Sequence, residues 1–267
     1  MASFTGRPNK TNNHKLILRK SSLEDKRAAV DPKVSFNKKL DLNNVTLVIL
    51  DCISVDRGLF AVKESLNLIN VYETLFFTSL SLQDKLVNTI KIKECKSKFD
   101  YSKFILSELY NFVNTDFVLM IQYDGYVVNP KVWTNKFFEF DYIGAPWFDK
   151  VVGNGGFSLR SRNLLRVTQS NYDIISKHSR CKGEYEDDDI CRCNRELLCS
   201  NGIKIADYDT ARIFSVEIEE SYTNQFGWHG MQHVPSCVIS RNPYLAKIYR
   251  INNTKTKRYN KNWKFYR

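Results

Sequence analysis

The chain has 267 residues, 43% hydrophobic and 13% aromatic, which supports one sizeable globular domain, or one domain with tails. No apolar run approaches the length of a membrane span, and the residues from Met1 to Pro8 lack the apolar core of a secretory signal. The net charge of +11 sits at the two ends: residues 1–40 carry +7 and residues 241–267 carry +9, leaving 41–240 at −5. Such ends suit nucleic acid, an anionic membrane or another acidic polymer, or are solvated tails with no partner; no aromatic-interleaved basic module appears within them. Residues 1–22 are basic and free of acid, a weak likeness to an organelle transit peptide, and a plain disordered tail is the simpler reading. Seven cysteines, an odd number, fit a reduced cytosolic setting. His178, Cys181, Cys191, Cys193 and Cys199 lie close in sequence, but Cys-x-Cys followed by Cys after five residues is not a usual zinc spacing.

In chain order, a short helix near 23–29 is the one feature expected in the N-terminal tail. The fold is expected to start at the β-branched run Val45–Asp51. Leu59, Val62, Leu66 and Ile69 follow helical spacing, which predicts a helix over Gly58–Ile69. Strands are expected at Glu73–Thr78 and Thr89–Lys93, and an amphipathic helix at Tyr101–Val113. Phe117–Ile121 is a continuous apolar run of strand length, short enough to be buried on both faces. This alternation predicts an α/β arrangement with a largely parallel sheet.

The run stops at Gln122-Tyr123-Asp124-Gly125. Ligands of open α/β sheets sit beyond the carboxyl ends of the strands, so Asp124 is a candidate to hold a divalent cation that carries phosphate oxygens. An aspartate that merely starts a turn is the plain alternative. After the aromatic stretch Val132–Phe140, Asp141–Trp147 reads as a brief strand ending in a turn. Gly153, Gly155 and Gly156 allow close approach to a ligand or positive φ, or form an ordinary glycine loop. The pattern is neither a P-loop nor a dinucleotide fingerprint. Tyr185–Leu198 reads as a helix with Ile190, Cys193 and Leu197 as its stripe and Asn201-Gly202 as its stop. Four acids, Glu186 to Asp189, therefore stand at a helix N-terminus. Capping explains one or two of them; four crowded carboxylates raise the proton affinity of at least one, which suits a general base. Gly202–Ala206 and Ala211–Val216 read as late strands. In Phe226-Gly-Trp-His229-Gly230 the histidine is a candidate metal ligand or phosphate contact, or is structural; His233 is the weaker candidate.

Together these motifs resemble a glycosyltransferase of the GT-A type, and in particular an uncharacterised glycosyltransferase-like family of bacteria and large DNA viruses. The residues that carry the likeness are Gln122-Tyr-Asp-Gly-Tyr-Val-Val-Asn-Pro130, Asp141-Tyr-Ile-Gly-Ala-Pro-Trp147, Gly153-Asn-Gly-Gly-Phe-Ser-Leu-Arg-Ser161, Glu186-Asp187 and Phe226-Gly-Trp-His-Gly230, in that order. The resemblance covers about residues 44–235, and five ordered motifs are far more specific than one. More distantly the chain resembles inverting β-1,3-galactosyltransferase-type enzymes. The resemblance implies a GT-A-like (Rossmann-like) mixed, mostly parallel sheet flanked by helices, in one domain at 41–240 with basic tails at 1–40 and 241–267. It also implies a nucleotide-diphosphate sugar donor, a glycan, lipid or protein acceptor, and Mn²⁺ or Mg²⁺. Asp124 matches the last residue of the Asp-x-Asp metal motif, and Gln122 stands where its first aspartate would be, which leaves one carboxylate. His229 matches a histidine that often completes the metal shell. Asp187 matches the candidate base, with Asp188 as a close second. Gln122, Tyr123, Asp124, Trp147, Asn154, Gly155 and Gly156 would line the donor and acceptor sides, with Trp147 as a stacking platform.

The activity so implied is hexosyl transfer to an acceptor hydroxyl, metal-dependent and inverting, with a retaining course left open. A non-catalytic nucleotide-sugar-binding protein is the second reading, which Gln122 keeps alive. A nucleic-acid-binding protein acting through its basic ends is the third. The expected setting is the cytoplasm; the Asn- and Lys-rich composition fits an AT-rich genome such as that of a large virus, and then host cytoplasm or virion.

Overall fold

The computed structural model describes residues 38–217 and 223–230. All of them belong to the compact unit Pro32–Arg267; a second unit, Met1–Asp31, lies outside the described residues. Outside them, too, fall the expected helix near 23–29, all but the last residues of the 1–40 tail, the 241–267 tail with its nucleic-acid reading, and His233. No described helix is long and apolar enough to cross a membrane.

The elements run β1 (Leu40–Leu50), α1 (Val55–Leu66), β2 (Ile69–Thr78), β3 (Asn88–Lys91), α2 (Lys98–Ser107), β4 (Phe117–Ile121), β5 (Gly125–Val127), β6 (Tyr142–Pro146) and β7 (Val152–Ser161). They continue with α3 (Arg162–Ser170), α4 (Tyr172–Lys177), α5 (Glu186–Asp188), a π-helical turn (Asp189–Cys193), α6 (Arg195–Ser200), α7 (Tyr208–Phe214), β8 (Ser215–Val216) and β9 (Gly227–His229). Six strands form one sheet in the order β3-β2-β1-β4-β7-β6. β3, β2, β1 and β4 are mutually parallel, β7 runs against β4, and β6 runs against β7. Only β7 is therefore reversed, and the fold is the mixed, mostly parallel α/β sheet flanked by helices that the sequence predicts.

The central strands are buried on both faces, as their apolar runs require. Leu47, Ile49, Phe76, Leu119 and Ile121 point into one core layer with Ala61 and Val62 of α1. Val48, Leu50, Phe77, Val118 and Met120 point into the other, under Phe104 and Ile105 of α2. Helix starts are fixed by side-chain caps: Ser97 accepts the Asp100 N–H, Ser161 the Leu164 N–H and Asp207 the Thr210 N–H. The aromatic stretch after β5 forms two 3₁₀ turns. Its Trp133 and Phe137 pack edge-on against Phe226 and Phe214, with ring centroids 4.9 and 5.3 Å apart.

Four local expectations need correction. The glycine run is not a loop: it lies inside β7 and is wholly buried. Ala211–Phe214 is helical, because Asp207 caps a helix there and Ala211 and Phe214, three apart, share its buried side; only Ser215–Val216 is extended. Gly202–Ala206 supplies a single bridge, Ile205 to Tyr142. The helix expected over Tyr185–Leu198 is interrupted by the π turn and by Asn194. The extra residue in that turn rotates the buried stripe, so Cys191 and Leu198 are fully buried where Cys193 and Leu197 were expected.

Candidate functional site

Five strands point their carboxyl ends to one edge of the sheet, and β7 begins there. Beyond β4 the chain makes a tight turn, with the Gly125 N–H donating to Gln122 O at 2.9 Å. β5 then pairs with β9, Gly125 opposite His229, and the Gly230 N–H donates to Asp124 O at 3.0 Å. This small second sheet brings together two residues 105 positions apart in the chain. His229 Nε2 lies 3.3 Å from Asp124 Oδ1 and 3.3 Å from Gln122 Oε1. On the other side of the ring, Nδ1 lies 3.4 Å from Glu217 Oε1. Burial opposes the charge on this imidazole, but Asp124 and Glu217 outweigh it and raise its pKa to about 10.

Gly156 explains how the ring fits. A Cβ there would stand 2.0 Å from His229 Nε2, and its carbonyl accepts the Gln122 N–H at 2.9 Å, so the backbone is not free to withdraw. Gly156→Ala is expected to push His229 away from Asp124 and to cost about 1–3 kcal/mol. The test is a urea titration; an unchanged midpoint would mean that the ring has room to spare.

The second end of the site lies one residue back along β7. Asp187 Oδ2 accepts the Gly155 N–H at 2.8 Å, and Oδ1 accepts the Asp188 N–H at 2.8 Å. Gly155 is required here as well: a Cβ would lie 2.6 Å from Glu186 Oε1. Burial, reinforced by the charge of Glu186, raises the Asp187 carboxyl from its ordinary 3.8 to about 7, although the side chain stays partly accessible. Glu186 is held in a buried ion pair with Arg160, 2.9 Å. Asp188, by contrast, is engaged by the guanidinium groups of Arg180 and Arg192, at 2.5 and 3.1 Å. Burial opposes them, yet together they hold its carboxyl below the ordinary value.

Other expected residues fall around these two ends. Asn154 is buried and its Oδ1 accepts the Gly156 N–H at 3.2 Å. Tyr123 carries the Arg57 guanidinium over its ring at 4.2 Å. Trp147 packs against Gly153, and Arg192 lies 3.9 Å from its ring centroid, so that face of the indole is already occupied.

Asp124, His229 and Gln122 could hold a divalent cation: buried Nε2 lies 3.3 Å from both Asp124 Oδ1 and Gln122 Oε1, and binding would release the proton that the carboxylates keep on the ring. Glu217 behind Nδ1 supplies the outer carboxylate that orients metal-binding histidines. Elsewhere among the described residues, Asp188, Asp189 and Cys193 hold ligand atoms within 4.8 Å of one another. A cation there would have to displace two guanidinium groups from Asp188.

Glu217, Arg160 and Tyr101 belong to the site and were not singled out from the sequence. Arg160 is legible in principle, as the one charged residue of β7, next to its last residue Ser161. Glu217 and Tyr101 carry no local signal; only β8 and α2 bring them in.

No curated protein matches the chain. Among the solved structures similar to it are the apo-form glycosyltransferase GlyE of Streptococcus pneumoniae TIGR4, at 12% identity with a TM-score of 0.45, and a glycosyltransferase involved in the glycosylation of the major capsid of PBCV-1, at 13% identity with a TM-score of 0.43. The first match covers 82% of this chain and 64% of that one, the second 76% and 98%. The chain thus spans less than two thirds of the pneumococcal protein. Residues 85–230, more than half of the chain and the whole stretch from β3 to β9, match the family described as "Protein of unknown function (DUF5672)", and the chain belongs to that family.

Proposed function

We propose that the protein is a glycosyltransferase that moves a sugar from a nucleotide-diphosphate donor to an acceptor hydroxyl with inversion. One observation carries this reading: an Asp124–His229 pair and the Asp187 carboxyl face the same edge of the sheet, reached through adjacent glycines of β7. The first pair suits the diphosphate and the second carboxylate suits the acceptor.

Asp124, His229 and Gln122 would hold Mn²⁺ or Mg²⁺ with the diphosphate. When bound, the cation would neutralise charge on the departing diphosphate. The chain's own residues do the rest. Gly155 and Asp188 N–H groups fix both oxygens of Asp187. Asp187 then takes the proton of the acceptor hydroxyl, and that oxygen attacks the anomeric carbon from the face opposite the leaving group. The bond from that carbon to the diphosphate oxygen breaks, and the oxygen keeps the electron pair. Asp188 is the poorer base, since two arginines stabilise its charged form. The acceptor would be a glycan, lipid or protein hydroxyl.

A binding protein without turnover is the second reading, favoured by Gln122, whose neutral amide leaves Asp124 as the only carboxylate among the described residues that faces His229 Nε2. Both readings are tested by binding and slow hydrolysis of UDP-glucose, UDP-galactose, UDP-N-acetylglucosamine and GDP-mannose, with and without Mn²⁺, on the wild type and Asp124→Ala. The transferase reading expects hydrolysis of one donor, lost in the variant. Binding without hydrolysis would favour the second reading, and no response to any donor would sink both.

A further inference from the structure

Tyr101 of α2 stands between the two ends of the site, and no step above uses it. Its hydroxyl accepts from Gln122 Nε2 at 3.4 Å, while Oε1 of the same amide faces His229 Nε2 at 3.3 Å. From the other side the phenol lies in the field of Glu186, Arg160 and Asp187, and burial keeps it protonated. The next residue, Ser102, is buried and accepts the Glu186 N–H at 3.1 Å, so α2 is tied to the Glu186–Asp187 turn. The contacts therefore run from His229 through Gln122 to the Tyr101 hydroxyl, and α2 carries them on through Ser102 to the Glu186–Asp187 turn. They also account for glutamine at 122: an amide offers a donor to Tyr101 and an acceptor to His229 at once, and a carboxylate has no donor to offer.

We propose that Tyr101 is a positioning residue for sugar transfer, which holds the Gln122 amide in one orientation and so fixes the Asp124–His229 end of the site relative to Asp187. The proposal rests on the transferase reading. Because the reacting atoms must meet within a narrow range, a small shift between the two ends lowers the rate steeply.

Tyr101→Phe keeps the ring and removes the hydroxyl. Hydrolysis of the responding donor is expected to slow about 10- to 100-fold in kcat, with KM for that donor changed by less than about 3-fold. The acidic limb of the pH profile should stay in place, since Asp187 keeps its own partners, and the unfolding midpoint should not move. The side-chain amide signals of Gln122 in ¹H–¹⁵N spectra should shift. A wild-type kcat, a loss matched by a lowered unfolding midpoint, or a displaced pH limb would each overturn the proposal. If the wild type hydrolyses no donor, the transferase reading falls by that result alone. The amide signals then decide the tie: unmoved in Tyr101→Phe they overturn it, shifted they uphold it.

Discussion

Asp187→Asn is expected to lower sugar transfer, or hydrolysis with water as acceptor, by about 10²- to 10⁴-fold while donor binding stays within a few-fold. The asparagine keeps an oxygen for one of the two N–H groups that Asp187 now accepts, so the turn at Gly155 should survive. What it loses is the ability to take a proton. The wild type should show an acidic limb near pH 7, because burial and then Glu186 raise the carboxyl to about 7 and only the ionised form is a base. The stability effect runs the other way. The folded chain holds this proton more tightly than the unfolded chain, so the proton favours folding. Stability from this group is full below about 4 and is lost as pH rises through about 7. Activity thus rises over the window in which stability falls. The check is a pH–rate profile beside urea midpoints at pH 4 to 8 on wild type and Asp187→Asn. A limb that persists near 7 in residual activity of the variant would assign the base elsewhere.

Arg160→Met is expected to destabilise the fold by about 3–5 kcal/mol, since it leaves Glu186 charged and buried without its partner. Arg160 is fully buried on β7, and it also donates to the Ser158 hydroxyl at 3.0 Å. Adding Glu186→Gln should return part of the loss, because the orphaned charge goes with it. Arg160→Met should also move the acidic limb above 7, since Arg160 is among the groups that lower the Asp187 carboxyl. Chemical denaturation of the single and double variants reads the first effect and the pH profile the second. A single variant within about 1 kcal/mol of wild type would show that the pair is not what holds the base turn in place.

The two ends of the site differ in how far they could be read from the sequence. Gln122-Tyr123-Asp124-Gly125 sits where an abrupt stop of an apolar run puts it, because burial on both faces leaves β4 no polar position until it emerges from the sheet. His229 is a candidate by its glycine and aromatic neighbours and by the family resemblance, not by any local periodicity. The acidic run was visible, but not which aspartate would hold its proton. That depends on Arg180 and Arg192 reaching Asp188 while Asp187 faces a glycine N–H. Local spacing contains neither fact.

The sequence by itself determined the elements whose cause is local: the doubly buried strands β1, β2 and β4, the broad placement of α1 and α2, and the stop at Gly202, where φ is +81°. Apolar periodicity and turn chemistry act over a few residues, so they can be read from a few residues. Tertiary structure decided the rest. Gly153, Gly155 and Gly156 look like a loop in isolation and form a buried strand because Trp147, the Glu186–Asp187 turn and His229 take the space their side chains would fill. The acidic helix acquires a π turn, and Glu217, Arg160 and Tyr101 join the site, through contacts between residues tens of positions apart. Pair energies at such separations depend on where the sheet places each partner, which no single stretch of the chain encodes.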